Sequence, residues 1–220
     1  MNGGKTIVRY NFVERSLHAL AGISFVYLLL TGLAFWTPGL FWIAEALGGG
    51  FLSRLLHPWA GVVFFAFVIW MLLIWSADMR TTDADRTWRR AIARYARNED
   101  LDVPATGRFN YGQKMFFWGM LWATVLLLVS GVVLWFPNSL PGNAGWLRQV
   151  AIVTHALSSL VAIGLFIVHV YMGVAVVPGS VHAVIHGDVT SDWARHHHRL
   201  WADELAGRST IPPTRVDRPR

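Results

Sequence analysis

Four long runs of this chain contain no Asp, Glu, Lys or Arg: Ser16 to Ala44, Leu55 to Ala77, Met115 to Leu147 and Gln149 to Gly187. A helix needs roughly 20 apolar residues to cross the hydrocarbon core of a bilayer, and each run exceeds that length. Inside lipid every backbone N–H and C=O must be satisfied within the segment, so such runs span as helices. Breakers trim the longer ones: Pro38-Gly39 ends the first, Pro137 and Pro141-Gly142 the third, and Pro178-Gly179 the fourth. The expected transmembrane helices are Ser16 to Trp36, His57 to Ala77, Met115 to Phe136 and Gln149 to Val177. The first is too long for a signal-peptide core and contains a histidine at its start, so it reads as a retained helix.

The charges are confined between these runs and give the chain a direction. Lys5, Arg9 and Arg15 precede helix one; Arg80, Arg86, Arg89, Arg90, Arg94, Arg97, Arg108 and Lys114 lie between helices two and three. The C-terminal tail carries six more, whereas the other two connections hold only Arg54 and Arg148. Seventeen of the 19 basic residues therefore fall on one side, and the positive-inside rule places both termini in the cytoplasm. Trp36, Trp42, Trp59, Trp135 and Trp146 suit the aromatic belt at the opposite, outer interface. The net charge of +6 is accordingly a topology signal, and nucleic-acid binding is a poor reading of it. The chain has no cysteine, which excludes a disulfide or an iron–sulfur cluster of its own.

Histidines are the chemistry-bearing residues inside these runs. His155 and His169 lie fourteen residues apart; in a helix that interval is about 1400° of rotation and about 21 Å of rise, so both leave one face at different depths. Topology sets the levels. Helix one starts inside, which puts His18 near the cytoplasm; helices two and four start outside, which puts His57 and His155 near the outer face and His169 deeper. Two level pairs result, His57 with His155 and His18 with His169, each joining two helices as a cofactor site in a bundle core requires.

A bis-histidine haem needs two neutral imidazoles facing each other across an iron, with room for the porphyrin. Four residues after each histidine, on the same helical face, stands a small residue: Gly22, Gly61, Ser159 and Gly173. Glycine is frequent in membrane helices, so this is modest support. For any one histidine a satisfied polar or interfacial residue is about as good a reading as a ligand. Four in two depth-matched pairs are far harder to explain that way, because polar groups in a membrane are costly and rare unless functional. Zinc suits the pairs less well, since two ligands leave a tetrahedral site half empty. The reading is an all-α integral membrane four-helix bundle with a di-haem b core, one domain over residues 1–220. It has a cytoplasmic loop at 78–114 and a cytoplasmic tail at 178–220.

Several motifs are not explained by hydrophobicity: IVRYNFVERSLH at the start, RLLHPWAG before helix two, GRFNYGQKMFFW before helix three, and GSVHAVIHGDVTSDWARHHHRLW after helix four. Together with the histidines of helix four they resemble the cytochrome b (gamma) subunits of membrane-bound respiratory formate dehydrogenases, over nearly the whole chain. The resemblance implies that His57 and His155 ligate the haem b near the periplasm and His18 and His169 the one near the cytoplasm, the pairing reached above from topology. It also implies a quinone, menaquinone or ubiquinone, reduced beside the cytoplasmic haem at Asn110, Gly112 and Gln113. From the residues alone, Asn110 reads as an ordinary N-cap and Gln113 as an early-turn polar residue. Tyr111 stands where a small residue is expected. The implied partners are an iron–sulfur beta subunit and a molybdenum or tungsten alpha subunit that oxidises formate, docked near Trp59, Trp146 and Arg148. The implied location is the bacterial inner membrane, in contact with lipid and in a complex open to higher oligomers.

Alternative readings are the cytochrome b subunit of a nickel–iron hydrogenase or thiosulfate-type reductase and, in a different class, a haem-free anchor or a transporter with histidine proton relays. The loop should hold a short helix around Thr87 to Arg97. His182, His186 and His196 to His198 are expected in solvent or against headgroups. The last dozen residues, rich in Pro, Arg and Thr, are expected to be disordered.

Overall fold

The computed structural model describes residues 5–97, 104–139, 141–142 and 144–210. The elements run β1 (Thr6–Val8), α1 (Phe12–Trp36), α2 (Trp42–Ala46), α3 (Gly50–Trp75), α4 (Asp83–Arg89), α5 (Ile92–Ala96), α6 (Tyr111–Trp135), α7 (Gly145–Tyr171), α8 (Ser180–His186), β2 (Asp188–Thr190), α9 (Ser191–His197) and α10 (Arg199–Thr210). Helices α1, α3, α6 and α7 are long and apolar enough to cross a membrane, the last continuing through a π-helical turn over Met172–Val176.

The start of α1 and of α6 is set by the same device. Asn11 accepts the Glu14 N–H while the Glu14 carboxylate accepts the Asn11 N–H. Asn110 and Gln113 repeat this reciprocal arrangement at the head of α6. Each capping box satisfies N–H groups that a helix end otherwise leaves without a partner. At the opposite end, Thr37 and Pro38 stop α1 where the sequence places the break. Gly48 and Gly49 turn the chain into α3 with φ of 97° and 100°, a region that side chains with a Cβ avoid.

Helix boundaries differ from expectation chiefly at α3, which begins at Gly50 rather than His57. Arg54 is excluded from hydrocarbon but not from a helix, so the helix projects past the apolar stretch. Pro58 then lies inside it, unable to donate to the Arg54 carbonyl. In the loop, the single helix expected at Thr87 to Arg97 is two, broken at Arg90 and Ala91. The tail is helical as far as Thr210, and residues 211–220, most of the stretch where disorder is expected, lie outside the described residues.

α1 packs along α3, α6 along α7, and contact between α3 and α6 joins the two pairs. The shared core holds Phe25, Phe64, Val68, Met120, Leu121 and Ala162. Phe25 lies 5.6 Å from Phe64 and 4.8 Å from Phe166, ring centre to ring centre. In lipid these contacts are held by close packing and dispersion, because lipid tails are as apolar as the side chains themselves.

The charged end is closed by a polar cap. β1 and β2 pair antiparallel, with Ile7 opposite Val189, and the Gly187 carbonyl accepts both the Arg9 and Tyr10 N–H groups. Gly187 has φ of 94°, and a Cβ there would meet the Tyr10 carbonyl oxygen at 2.6 Å, so the turn admits only glycine. Arg108 donates to Glu14, Asp78 and the Arg9 carbonyl at 2.6, 3.0 and 2.8 Å. Trp75 donates to the same Glu14 carboxylate at 2.6 Å. A buried Lys114–Asp85 pair at 2.7 Å ties α6 to α4.

Within the histidine cluster of the tail, His196 is exposed as expected, whereas His197 and His198 are not. His198 is 2% exposed and His197 9%. The reason is Arg9, itself buried among the rings of Tyr10, Trp193 and Trp201 at 5.0 to 5.4 Å. Its guanidinium needs acceptors, and it finds the Arg108 carbonyl at 3.1 Å and His198 Nε2 at 3.0 Å. His182 remains exposed, stacked on His186 and 3.1 Å from Asp188.

Candidate functional site

The four histidines meet in the two pairs that topology predicts. The His57 and His155 rings are 6.5 Å apart, centre to centre, at an interplanar angle of 56°. The His18 and His169 rings are 5.9 Å apart at 51°. A metal–imidazole bond of about 2 Å on each side, with each ring centre about 1 Å behind its nitrogen, demands a separation of about 6 Å. Both pairs meet that spacing, and the helices that carry them leave the rings without direct ring–ring stacking. Among the described residues no group of three His, Asp or Glu side chains converges, so a tetrahedral metal has no donor set there.

The outer pair is the better furnished. Thr31 Oγ1 lies 2.7 Å from His57 Nδ1 and 2.8 Å from the Tyr27 carbonyl oxygen. Ser130 Oγ lies 3.0 Å from His155 Nδ1 and 2.6 Å from the Leu126 carbonyl oxygen. A carbonyl only accepts, so each hydroxyl donates to its own helix and accepts from the imidazole Nδ1–H. That fixes the tautomer in which Nε2 carries the free lone pair, as a ligand must. Both hydroxyl residues are fully buried.

Beside these rings lies a cavity of about 570 Å³, lined by His57 and His155, by Gly32, Gly61, Gly131 and Ser159, with Arg54 also on its wall. A Cβ at Gly131 would press on the His155 ring at 3.3 Å, and one at Gly32 would lie 3.9 Å from His57. A flat macrocycle beside the ligands needs that clearance. Of the small residues picked from the sequence, Gly61 and Ser159 line this cavity, while Gly22 and Gly173 border open space in which a Cβ would meet nothing within 4 Å. The residues present thus fit a bis-histidine haem at the outer level, and the inner level has the ligand spacing and the open glycines.

Sequence reasoning missed Thr31, Gly32, Ser130 and Gly131. Their signal was a hydroxyl residue followed by glycine, Thr31-Gly32 and Ser130-Gly131, near the outer end of two apolar helices. It also missed the π turn at Met172–Val176, three residues past His169; such turns recur at functional sites.

At the inner level Phe116 of α6 stacks on His169, 4.4 Å between centres and 13° from parallel. One to two turns earlier, Asn110 and Gln113 are engaged with each other in the capping box, through their side-chain oxygens. Their amide NH2 groups take no part in it. Gly112 sits against Trp88, where a Cβ would lie 3.5 Å from the ring, and Tyr111 packs with Trp88, Val176 and Val177 beside the π turn. At the outer end, Trp59 and Trp146 are exposed, Trp59 edge-on to Trp135 at 5.0 Å.

A membrane-spanning four-helix bundle with two level pairs of facing histidines, one beside a macrocycle-sized cavity, defines a b-type cytochrome. The chain belongs to the prokaryotic cytochrome b561 family, whose profile matches residues 9–187. It is 37% identical over 201 residues to the cytochrome b556(fdo) subunit of formate dehydrogenase of Escherichia coli (strain K12), covering 91% of this chain and 93% of that one. To the cytochrome b556(Fdn) subunit of the nitrate-inducible formate dehydrogenase of the same organism it is 30% identical over 205 residues, 93% and 94% of the two chains. The formate dehydrogenase cytochrome b556 subunit of Haemophilus influenzae is 33% identical over 204 residues, 90% and 83%. The resemblance read from the motifs is borne out.

Proposed function

We propose that this chain is the membrane cytochrome b subunit of a formate dehydrogenase, carrying electrons from an iron–sulfur partner at the outer face to quinone at the cytoplasmic face. The observation that supports this most directly is the pairing of His57 with His155 and of His18 with His169 at haem spacing, in a chain of this family. Two haem b groups, one per pair, supply one-electron carriage between the membrane faces. The chain's own residues hold and insulate that path. His57, His155, His18 and His169 are the ligands, and Phe25, Phe64 and Phe166 form a dry apolar layer between the two levels. The polar cap beneath the inner pair, rich in Arg and carboxylate, is the hydrated side from which quinone takes its protons. Asn110, Gly112 and Gln113 at the head of α6 border the quinone, the amide NH2 groups donating to its carbonyl while the side-chain oxygens hold the capping box. Electrons entering outside and protons taken up inside move charge across the membrane at each turnover. Formate oxidation belongs to the molybdenum or tungsten partner, and the exposed Trp59, Trp146 and Arg148 region is where the iron–sulfur partner docks.

The test is a reduced-minus-oxidised spectrum of the purified chain with haem quantitation. About two haem b per chain are expected, with His57→Ala and His155→Ala removing one spectral component and His18→Ala and His169→Ala the other. A folded, purified protein without haem, or His18→Ala and His155→Ala removing the same component, overturns the assignment.

A further inference from the structure

The hydroxyl groups of Thr31 and Ser130 single out the outer pair. Hydroxyl residues are common in these helices, and most bond only backward to their own backbone: Ser24 to Leu20, Thr124 to Met120, Ser159 to Ala156. Thr31 and Ser130 make that same backward bond and, in addition, each hydroxyl oxygen faces the Nδ1–H of a ligand histidine carried by a neighbouring helix, Thr31 that of His57 and Ser130, together with the Leu127 carbonyl, that of His155. Both are buried, at 0% and 4% exposure, so no water competes for the ring proton. The two arrangements mirror each other across the cavity, α1 serving the ligand of α3 and α6 serving the ligand of α7. At the inner level Phe116 lays its ring face against His169 instead, and that face accepts no such in-plane bond.

We propose that Thr31 and Ser130 are positioning residues that set the electronic character of the outer ligand pair and lower the reduction potential of the haem it holds relative to the same site without them. The inference rests on the haem reading above. A hydroxyl accepting Nδ1–H pulls the ring proton partly away and leaves more electron density on Nε2. A more basic ligand favours the ferric over the ferrous state, so the outer centre is harder to reduce with these bonds than without them, and the bond also holds each ring at a fixed rotation. Neither residue touches the iron or the quinone; each acts through its histidine.

The test is a spectroelectrochemical titration of the complete membrane protein with both haems loaded, comparing Thr31→Val and Ser130→Ala with Thr31→Ser and Ser130→Thr. The first two remove the hydroxyl acceptor with little change in volume, and each should raise the midpoint of one haem b component, the one lost in His57→Ala, with the other unmoved; the rise should be smaller for Ser130→Ala, where the Leu127 carbonyl still faces His155. The conservative pair, which keeps a hydroxyl, should titrate as wild type. A parallel low-temperature paramagnetic resonance spectrum should show a changed low-spin ferric signal for that same component only. If Thr31→Val fails to retain haem, Ser130→Ala, which removes a single oxygen, decides the matter. Unchanged midpoints and ferric signals in loaded Ser130→Ala and Thr31→Val protein overturn the inference while leaving the haem reading intact. A wild-type protein without bis-histidine haem would instead overturn the reading on which it rests.

Discussion

At the scale of single residues, His198 shows how the chain uses a histidine that is not a ligand. Its Nε2 accepts from Arg9 and its Nδ1–H donates to the Gly107 carbonyl at 2.9 Å, with Thr106, His197 and Trp193 closing round it. This arrangement accommodates only the neutral ring. Burial, and then the Arg9 charge, hold its pKa well below the ordinary histidine value. The unfolded chain takes up a proton near pH 6.5 that the folded one refuses. The contribution of this contact is therefore fully present above about pH 6.5 and is lost as pH falls below it toward the depressed folded value. Proteolytic release of the tail, followed from pH 8 down to pH 5, should accelerate on the acid side, and His198→Gln should flatten that dependence. An identical acid limb in the variant would exclude His198 as its cause. A second residue-scale expectation concerns Gln113, whose oxygen caps α6 while its NH2 is assigned to quinone. Gln113→Glu keeps an acceptor for the Asn110 N–H and removes the donor, so quinone reduction should fall with both haem spectra intact, whereas Asn110→Ala removes donor and cap together and should lower quinone reduction while also costing about 1 kcal/mol of helix stability. Undiminished quinone reduction by Gln113→Glu would dismiss the donor role.

Among the elements, one carboxylate gathers α1, α3 and the segment before α6 at the charged end. Glu14, in the first turn of α1, gathers Trp75 from the end of α3 and Arg108 from the segment leading into α6. Arg108→Leu would leave a nearly fully buried carboxylate facing an apolar side chain, at a cost of about 3 kcal/mol. Thermal unfolding in detergent should show the loss, and Asp78→Asn, which touches the more exposed arm of Arg108, should cost under about 1 kcal/mol. Equal effects of the two changes would mean that Glu14 is not the anchor. Much at this scale was legible before the fold was known. Uncharged runs located α1, α3, α6 and α7, and the fourteen-residue interval on α7 together with the charge map anticipated which histidine rings lie near each other. What escaped was whatever depends on packing between distant segments. Thr31 and Ser130 read from sequence like Ser24 or Thr124, because every such hydroxyl can bond its own helix; which of them faces a ligand is decided by the neighbouring helix. Likewise His198 lies beside Arg9 across nearly the whole chain, so a cluster of polar tail histidines gave no sign that one of them would be buried. The early start of α3 escaped because charge marks the membrane boundary, not the helix boundary.

For the molecule as a whole, a charged, cross-braced end lies opposite an apolar, tryptophan-rich end, and the proposed orientation puts the charged end in the cytoplasm. The cap made by β1, β2, α9, α10 and the α4 region draws together the three segments that hold nearly all the basic residues, so the structure collects on one side what the positive-inside rule assigns to the cytoplasm. The opposite end offers Trp36, Trp42, Trp59 and Trp146, all exposed and suited to an interfacial belt. Because the chain has no cysteine, single cysteines report orientation without interference. In intact cells a membrane-impermeant maleimide should label Thr37→Cys and Gly142→Cys, which lie in the two outer connections. Arg86→Cys and His186→Cys should react only after the membrane is opened. This orientation places the His57/His155 level toward the periplasm, so reversed labelling would put that level beside the cytoplasm. Electron entry and quinone chemistry would then exchange faces, and the proposed movement of charge would change sign.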